Sequence, residues 1–197
     1  MARSDIGAII LAAGQSARFR AQGGEGSKLL AHYQGKALVR HVAEAALSAK
    51  LDGVIVVTGA DGDALREALA DLPLTFVENE DYASGMGSSL RVGFGARPAH
   101  WKAALILLAD MPLVDAALIE QLMQAFSADV SAVVPTFEGL RGNPVLLSAR
   151  LAPEIAHLSG DMGARQILRG RADVREVPVA SAAARLDIVT PDALKKL

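Results

Sequence analysis

Short aliphatic segments, rich in β-branched residues, recur along the chain without alternating polar positions. Uninterrupted apolar segments of this kind are typical of strands that are covered on both faces of a sheet. The pattern predicts buried strands over residues 6–11, 53–58, 74–77, 103–108 and 130–134.

Amphipathic helical patterns separate these strands. The clearest one, over residues 37–49, places five apolar side chains on one helical stripe: Leu38, Val42, Ala45, Ala46 and Ala49. Weaker patterns predict helices over residues 63–70, 89–96 and 115–126. Strands and helices that alternate at this spacing form right-handed βαβ units. We therefore expect an α/β fold, a three-layer α/β/α sandwich with a mostly parallel, Rossmann-like sheet.

The last third of the chain loses this regular alternation. Its pattern predicts a short strand over 145–147, small helices over 153–158 and 163–168, and strand-like segments over 174–177 and 186–189. No linker rich in Pro, Gly or Ser separates this part from the rest. We therefore expect residues 1–197 to form one domain, in which the last third completes the site.

Composition excludes several classes of function. Twenty Lys and Arg against twenty-two Asp and Glu give a net charge of -2, which favours neither nucleic acid nor an anionic membrane as a partner. Because there is no cysteine, thiolate nucleophiles, zinc–thiolate sites and iron–sulfur centres are ruled out. The longest apolar runs, at 8–13 and 103–109, are too short to cross a bilayer, and no signal-peptide pattern is present. We expect a cytoplasmic protein.

The loop after the first predicted strand is strongly basic. Residues 13–40 contain one acidic residue, Glu25, against five cations: Arg18, Arg20, Lys28, Lys36 and Arg40. Small residues let backbone N–H groups turn toward an oxygen-rich ligand: Gly14, Ser16, Gly23, Gly24, Gly26 and Ser27. A triphosphate fits this chemistry, and a mobile polar loop with solvated cations is the alternative. The spacing matches neither the P-loop nor the G-x-G-x-x-G fingerprint.

Asp110 is the best metal candidate in the sequence. It follows the predicted strand 103–108, and Pro112 prevents the strand from continuing. In parallel sheets, ligands bind beyond the carboxyl ends of the strands, so this carboxylate is expected to face the ligand. Mg²⁺ is typically held by one or two carboxylates together with substrate phosphates. As the second ligand we favour Asp187, with Asp161 as a substitute.

Four motifs carry a family resemblance. They are LAAGQSAR at 11–18 with KLL at 28–30, NEDYASGMGSSL at 79–90, LADMP at 108–112, and GLRGNP at 139–144. In this order and approximate spacing they resemble the molybdenum cofactor nucleotidyltransferases, the MobA-like NTP transferases, and most closely their cytidylyltransferase branch. The resemblance implies the nucleotide-diphospho-sugar transferase type of fold, with a nucleotide-binding half at about 1–112 and an acceptor-side half at about 113–197.

The sequence departs from the family pattern at three places. Ten positions separate Arg18 from Lys28, more than the family usually has. Asn143 stands where the family normally has His. In DIVTP at 187–191, Val189 replaces the second acidic residue of the family motif.

The resemblance implies transfer of CMP from CTP to the phosphate of molybdopterin, with release of pyrophosphate and with Mg²⁺ as cofactor. The implied catalytic residues are Arg18, Lys28 and Asp110, and the implied metal ligands are Asp110 and Asp187. The implied nucleotide site comprises Leu11, Ala12, Ala13, Gly14, Ser16, Arg18, Lys28, Asn79, Gly85, Ser88 and Ser89. The implied acceptor site comprises Arg141, Gly142, Asn143, Asp161 and Arg165. The guanylyl branch usually has Gly where this chain has Ala13, which favours CTP over a purine nucleotide.

The sequence is also compatible with other functions. The chain could be a nucleotide-dependent oxidoreductase on the same fold, although the usual fingerprint is absent. It could also be a non-catalytic module that delivers molybdopterin to a molybdoenzyme or its chaperone. Transfer of GMP, or transfer to another phosphorylated acceptor, uses the same chemistry.

Overall fold

A computed structural model describes residues 5–195 of the chain. The strands are β1 (Ile6–Ala12), β2 (His32–Tyr33), β3 (Lys36–Ala37), β4 (Val54–Thr58), β5 (Thr75–Glu78), β6 (Ala103–Leu108), β7 (Ala132–Phe137), β8 (Leu140–Arg141), β9 (Val145–Ser148) and β10 (Val174–Pro178). The helices are α1 (Ala17–Ala21), α2 (Leu38–Ser48), α3 (Gly62–Ala68), α4 (Met86–Gly95), α5 (Ala116–Gln124), α6 (Ala152–Ala156), α7 (Ala164–Ile167) and α8 (Pro191–Lys195).

The main sheet has the strand order β10-β7-β9-β6-β1-β4-β5, with β8 paired to β7. Strand β1 lies in the interior of the sheet and is parallel to both neighbours, so that Ile9 is opposite Ile55 on one side and Ile106 on the other. Strand β9 is antiparallel to both β6 and β7. The predicted mostly parallel sheet is thus confirmed, with one antiparallel strand inserted between its two parallel parts.

Both faces of the sheet are covered. Ile10 and Val56 belong to one buried cluster, whereas Ile9 and Phe94 belong to a second cluster. Because successive side chains of a strand point to opposite faces, two cores on one sheet define a three-layer sandwich. This arrangement explains why the strands read as continuous apolar segments, and it confirms the predicted architecture.

The structure corrects two expectations about local structure. Residues 186–189, predicted to be strand-like, form no strand. Ile188 is buried, and its N–H donates to the Asp110 carbonyl at 2.9 Å. The apolar residues of this segment therefore reflect local burial, not membership of a sheet. In addition, the basic loop contains the short helix α1, which its small and polar composition did not predict.

The helices are short. In the part of the chain that the structure describes, no helix combines the length and the apolarity that spanning a membrane requires.

Candidate active site

A cavity of about 580 Å³ opens at the carboxyl edge of the sheet. Strands β1 and β6 are parallel neighbours that end at Ala12 and Leu108, so the loops that follow them meet at this edge. Eleven of the predicted site residues line the cavity: Leu11, Ala13, Gly14, Ser16, Arg18, Lys28, Gly85, Ser89, Asp110, Asp161 and Asp187. Three motifs that are far apart in the sequence thus contribute to one cleft.

One side of the cavity is formed by residues 14–28, which we call the loop wall. Helix α1 begins after Ser16, whose backbone has the left-handed conformation (φ 54°, ψ 23°). Phe19 is buried, and a Cβ added at Gly24 would lie 2.3 Å from its ring, so the chain packs closely around this aromatic side chain. The exposed Arg18 also lines the cavity. The loop is therefore folded around one apolar anchor, while its cations remain accessible.

Lys28 connects the loop wall to the sheet. Its Nζ donates to Asp110 Oδ2 at 2.5 Å, and the two side chains are 16% and 19% exposed. Its backbone N–H donates to Ser16 Oγ at 3.0 Å. Lys28 thus closes the loop wall through a hydrogen bond that spans 12 positions, and it forms an ion pair with Asp110, just beyond β6.

The Asp110 side chain can pair with Lys28 because a different residue, Asp115, caps the next helix. Asp115 is the N-cap of α5, where its side chain accepts a hydrogen bond from the Leu118 N–H at 2.8 Å. Aspartate is among the residues preferred at this position, because its carboxylate satisfies a free backbone N–H. Asp110 instead points into the cavity that it lines.

Three carboxylates share the cavity, those of Asp110, Asp161 and Asp187. The bond from the Ile188 N–H to the Asp110 carbonyl, at 2.9 Å, places Asp187 and Val189 beside Asp110. Oxygen donors of this kind suit a hard divalent cation. Within residues 5–195, no three His, Cys, Asp or Glu side chains form a group that could hold a metal ion by themselves. One or two carboxylates fit a cation that takes its remaining ligands from water or phosphate oxygens, as Mg²⁺ commonly does.

The opposite side of the cavity is formed by residues 79–89, which we call the helix wall. Gly85 and Ser89 line the cavity. Asn79 and Ser88 are buried behind them, and Asn79 Nδ2 donates to Ser88 Oγ at 2.8 Å and to Ser89 Oγ at 3.0 Å. These two predicted nucleotide contacts thus support the wall and do not line the cavity.

Tight glycine contacts join the helix wall to residues 159–163. Gly85 has a φ of 109°, and a Cβ there would lie 2.4 Å from the backbone of Gly160. The Gly87 N–H donates to the Gly160 carbonyl at 2.9 Å. Only glycine allows this approach at Gly85, because the left-handed conformation and the close backbone both exclude a side chain.

Several predicted residues lie outside the cavity lining: Ala12, Asn79, Ser88, Arg141, Gly142, Asn143 and Arg165. Arg141 pairs with Glu176 at 2.7 Å. A Cβ at Gly142 would lie 2.2 Å from the Ala184 carbonyl oxygen, which also accepts the Asn143 N–H at 2.8 Å. The 139–144 motif thus packs against the C-terminal segment that carries Ile188 and Asp187.

Sequence reasoning missed several residues of the cavity. Tyr82, Ala83 and Met86 line it from the helix wall, and Val189 lines it beside Asp187. Met86 is 42% exposed. The exposure of this long apolar side chain at the cavity becomes evident only in the folded structure.

Comparison with known proteins identifies the family. The model of the MobA-like NTP transferase domain matches residues 8–177. The chain belongs to this family. Nucleotidyltransferases are among the solved structures that share its fold, which confirms the predicted fold type.

The relatives of this MobA-like NTP transferase differ in their named activities. Nicotine blue oxidoreductase of Paenarthrobacter nicotinovorans is 35% identical over 169 residues, covering 82% of this chain and 80% of that protein. The bifunctional protein GlmU of Psychrobacter is 35% identical over 130 residues, covering 66% of this chain. The matched region spans only 28% of GlmU.

Among solved structures, Rv0371c from Mycobacterium tuberculosis superposes with a TM-score of 0.86 at 26% identity, covering 99% of this chain and 98% of that one. A manganese complex of Rv0371C superposes with a TM-score of 0.83 at 27% identity, covering 98% and 97%. A divalent metal thus occurs in a structural relative of this MobA-like domain.

Proposed function

We propose that this protein transfers CMP from CTP to the phosphate of a molybdopterin-type acceptor and releases pyrophosphate. The observation that carries the proposal is the ion pair between Lys28 and Asp110 in the cavity, with Arg18, Asp161 and Asp187 around it. A triphosphate needs positive charges around it, and its metal ion needs carboxylates. In this cavity, cations from a glycine-rich loop lie beside carboxylates from the sheet edge.

The loop wall supplies the groups that bind the triphosphate. Gly14 has no side chain, so phosphate oxygens can approach its backbone, and a Cβ there would meet nothing within 4 Å. Arg18 offers a planar fork of donors, whereas Lys28 offers a compact, mobile charge. Together they neutralise the negative charge that builds up on the phosphates during the reaction.

Asp110 and Asp187 would hold a divalent cation, with Asp161 as the alternative to Asp187. When bound, such a cation neutralises phosphate oxygens and helps to align them. The proposed cofactor is Mg²⁺, since oxygen ligands and shared phosphates are its usual surroundings. The manganese complex of Rv0371C supports a divalent metal in this fold.

The reaction itself asks little covalent chemistry of the protein. An oxygen of the acceptor phosphate attacks the α-phosphorus of CTP in line, the bond from that phosphorus to the bridging oxygen breaks, and pyrophosphate leaves. Because the nucleophile is already an anionic phosphate, no general base is needed. Arg18 and Lys28 orient the triphosphate and stabilise the charge of the pentacoordinate state.

Close packing around Ala13 supports selection of a pyrimidine base. Ala13 is 4% exposed and lines the cavity. A Cβ added at Gly59 would lie 2.8 Å from both the Ala13 carbonyl oxygen and Tyr82 Cβ. The Ala13 backbone and the Tyr82 side chain of the helix wall therefore come close together here, and we propose that the remaining space suits cytosine better than guanine.

The acceptor would enter between the helix wall and the C-terminal segment. Asp161 lines this side of the cavity, and the exposed Arg165 lies on the neighbouring helix α7. We propose that Arg165 binds the acceptor phosphate, while Arg141, Gly142 and Asn143 hold the C-terminal segment in place. A molybdoenzyme or its chaperone would then receive the product.

A redox activity is the second candidate. It is favoured by the 35% identity to nicotine blue oxidoreductase over 82% of this chain. The two functions make different demands on the cavity, since an oxidoreductase needs a hydride or electron carrier and a transferase needs a nucleoside triphosphate with a divalent cation.

The test is pyrophosphate release with CTP, Mg²⁺ and molybdopterin, alongside thermal shifts with CTP, GTP, NADPH and flavin. Pyrophosphate release that requires both substrates, with stabilisation by CTP, supports the proposal. Binding of CTP and molybdopterin without release indicates a delivery module. Release with GTP, or with a different phosphorylated acceptor, would change the substrate but keep the reaction. Stabilisation by NADPH or flavin alone would refute the proposal.

A further inference from the structure

Lys28 and Asp110 bind each other in the structure with nothing between them. The Nζ–Oδ2 distance is 2.5 Å, and the side chains are only 16% and 19% exposed. In this partly buried setting the attraction is screened less than on an open surface. Asp110 is the carboxylate that we assign to a divalent cation. In the structure its partner is the Lys28 ammonium.

An ammonium and a divalent cation compete when both bind to one carboxylate. Both are attracted to the same oxygens, and they repel each other at such short range. A lysine that hydrogen-bonds Asp110 Oδ2 at 2.5 Å therefore competes directly with any metal ion for this ligand.

The attachment of Lys28 allows its ammonium to leave. The backbone stays tied through the bond of its N–H to Ser16 Oγ at 3.0 Å, while the four-carbon side chain can change rotamer.

We propose that Lys28 is the resident counter-ion of Asp110, so that a divalent cation binds only by displacing the ammonium, which is then free to bind the anionic ligand. The inference rests on the proposed function, because it takes Asp110 as the metal ligand and Lys28 as a phosphate ligand. In addition to binding phosphate, Lys28 balances the negative charge of Asp110 until a metal ion binds. Binding of the cation then releases the Lys28 ammonium toward the anionic ligand in the same step.

The experiment measures Mn²⁺ binding by the whole protein without any nucleotide, using electron paramagnetic resonance of free Mn²⁺. The variants are Lys28→Met, which keeps the length of the side chain and removes its charge, and Asp110→Asn, which removes the ligand. Arg18→Gln is the matched control, because Arg18 is a second cation of the same cavity that has no ion pair with Asp110 among the described contacts.

We expect Lys28→Met to bind Mn²⁺ about five-fold more tightly than the unaltered protein, the factor that corresponds to losing a competing ion pair of ordinary strength. Arg18→Gln should change the affinity less than two-fold, and Asp110→Asn should abolish the binding. Lys28→Gln should behave like Lys28→Met, which covers the case that one of the two variants folds poorly.

Unchanged or weaker Mn²⁺ binding in both Lys28 variants would overturn the proposal. So would an equal gain in Arg18→Gln, since the effect would then come from the general field of the cavity and not from displacement. Because no nucleotide is present, these outcomes are separate from the failure of CTP-dependent pyrophosphate release, which would refute the proposed function.

Discussion

The two walls of the cavity are held in different ways. The loop wall (residues 14–28) depends on a side-chain ion pair from Lys28 to Asp110 and on one hydrogen bond to Ser16 Oγ. The helix wall (residues 79–89) depends on the buried amide of Asn79 and on backbone contact between Gly85 and Gly160. A charged ligand can replace the first set of contacts, but it cannot replace the second. We infer that the loop wall responds to the ligand, whereas the helix wall provides a fixed surface.

The largest effect should follow removal of the carboxylate that faces the loop wall. Asp110→Ala should lower turnover about a thousand-fold or more, because it removes both the proposed metal ligand and the partner of Lys28. The fold should persist, since Asp110 is not part of the core. Steady-state pyrophosphate release and a thermal melt measure the two quantities.

Glu67→Ala, on the exposed surface of α3, is the control for this change. Asp187→Ala and Asp161→Ala extend the test, because the true second ligand should show a loss of about 10-fold to 100-fold. Unaltered kinetics in Asp110→Ala would remove this residue from the site.

Gly85→Ala should damage the helix wall through packing. A Cβ there would lie 2.4 Å from the Gly160 backbone, and the φ of 109° is unfavourable for alanine. We expect a loss of about 3 kcal/mol in the free energy of unfolding. Chemical denaturation measures it.

Gly95→Ala is the matched control for this substitution. It lies near the end of α4 with nothing within 4 Å of an added Cβ. Its stability should stay equal or rise by up to about 1 kcal/mol. Equal stability of both variants would show that the helix wall is as adaptable as the loop wall.

Lys28→Ala should affect the nucleotide more than the fold. We expect kcat/KM for CTP to fall about a hundred-fold, because the cation that we propose to stabilise the transition state is lost. The free energy of unfolding should fall by only about 1 kcal/mol, since the ion pair is partly exposed.

Lys36→Ala removes an exposed lysine that pairs with Glu44 and serves as the control. A change in the KM of the acceptor alone would contradict the assignment of Lys28 to the triphosphate.

Ser16 should give the smallest effect and sharpen the picture of the loop wall. Ser16→Ala removes the acceptor for the Lys28 N–H and should cost about 1 kcal/mol. Ser16→Gly removes the same bond but also the strain of a left-handed non-glycine residue, so it should be more stable than Ser16→Ala by about 1 kcal/mol. Denaturation curves compare the two. The reverse order would show that the Ser16 conformation carries no strain.

Much of the fold could be predicted because its signals are local. The strands β1, β4 and β6 are buried on both faces, and so they appear in the sequence as continuous apolar segments. Helix α4 was harder, since it begins at Met86 in a run of Gly and Ser, before the apolar pattern starts at residue 89. The single hydrogen bond of Ile188 to Asp110 could not be distinguished from strand pairing, because burial alone gives both the same pattern.

The candidate site could be predicted where a residue able to bind a ligand lies just beyond the end of a predicted strand. Asp110 was singled out from charge and position. Lys28 was one of five cations of the basic loop, and the family resemblance singled it out; the structure brings the two residues into contact. Asn79 and Ser88 lie behind the cavity because their side chains bond within the helix wall, and sequence patterns do not reveal which way a polar side chain faces. Tyr82 and Met86 were missed because apolar residues carry no chemical signal until the fold places them at a cavity.

A calorimetric titration of CTP and GTP with Mg²⁺, into the unaltered protein and into Asp110→Ala, tests the central claim most directly. We predict that CTP binds more tightly than GTP, and that the binding depends on both Mg²⁺ and Asp110. CTP binding that is equal in the Asp110→Ala variant, or no heat with either nucleotide, would contradict it.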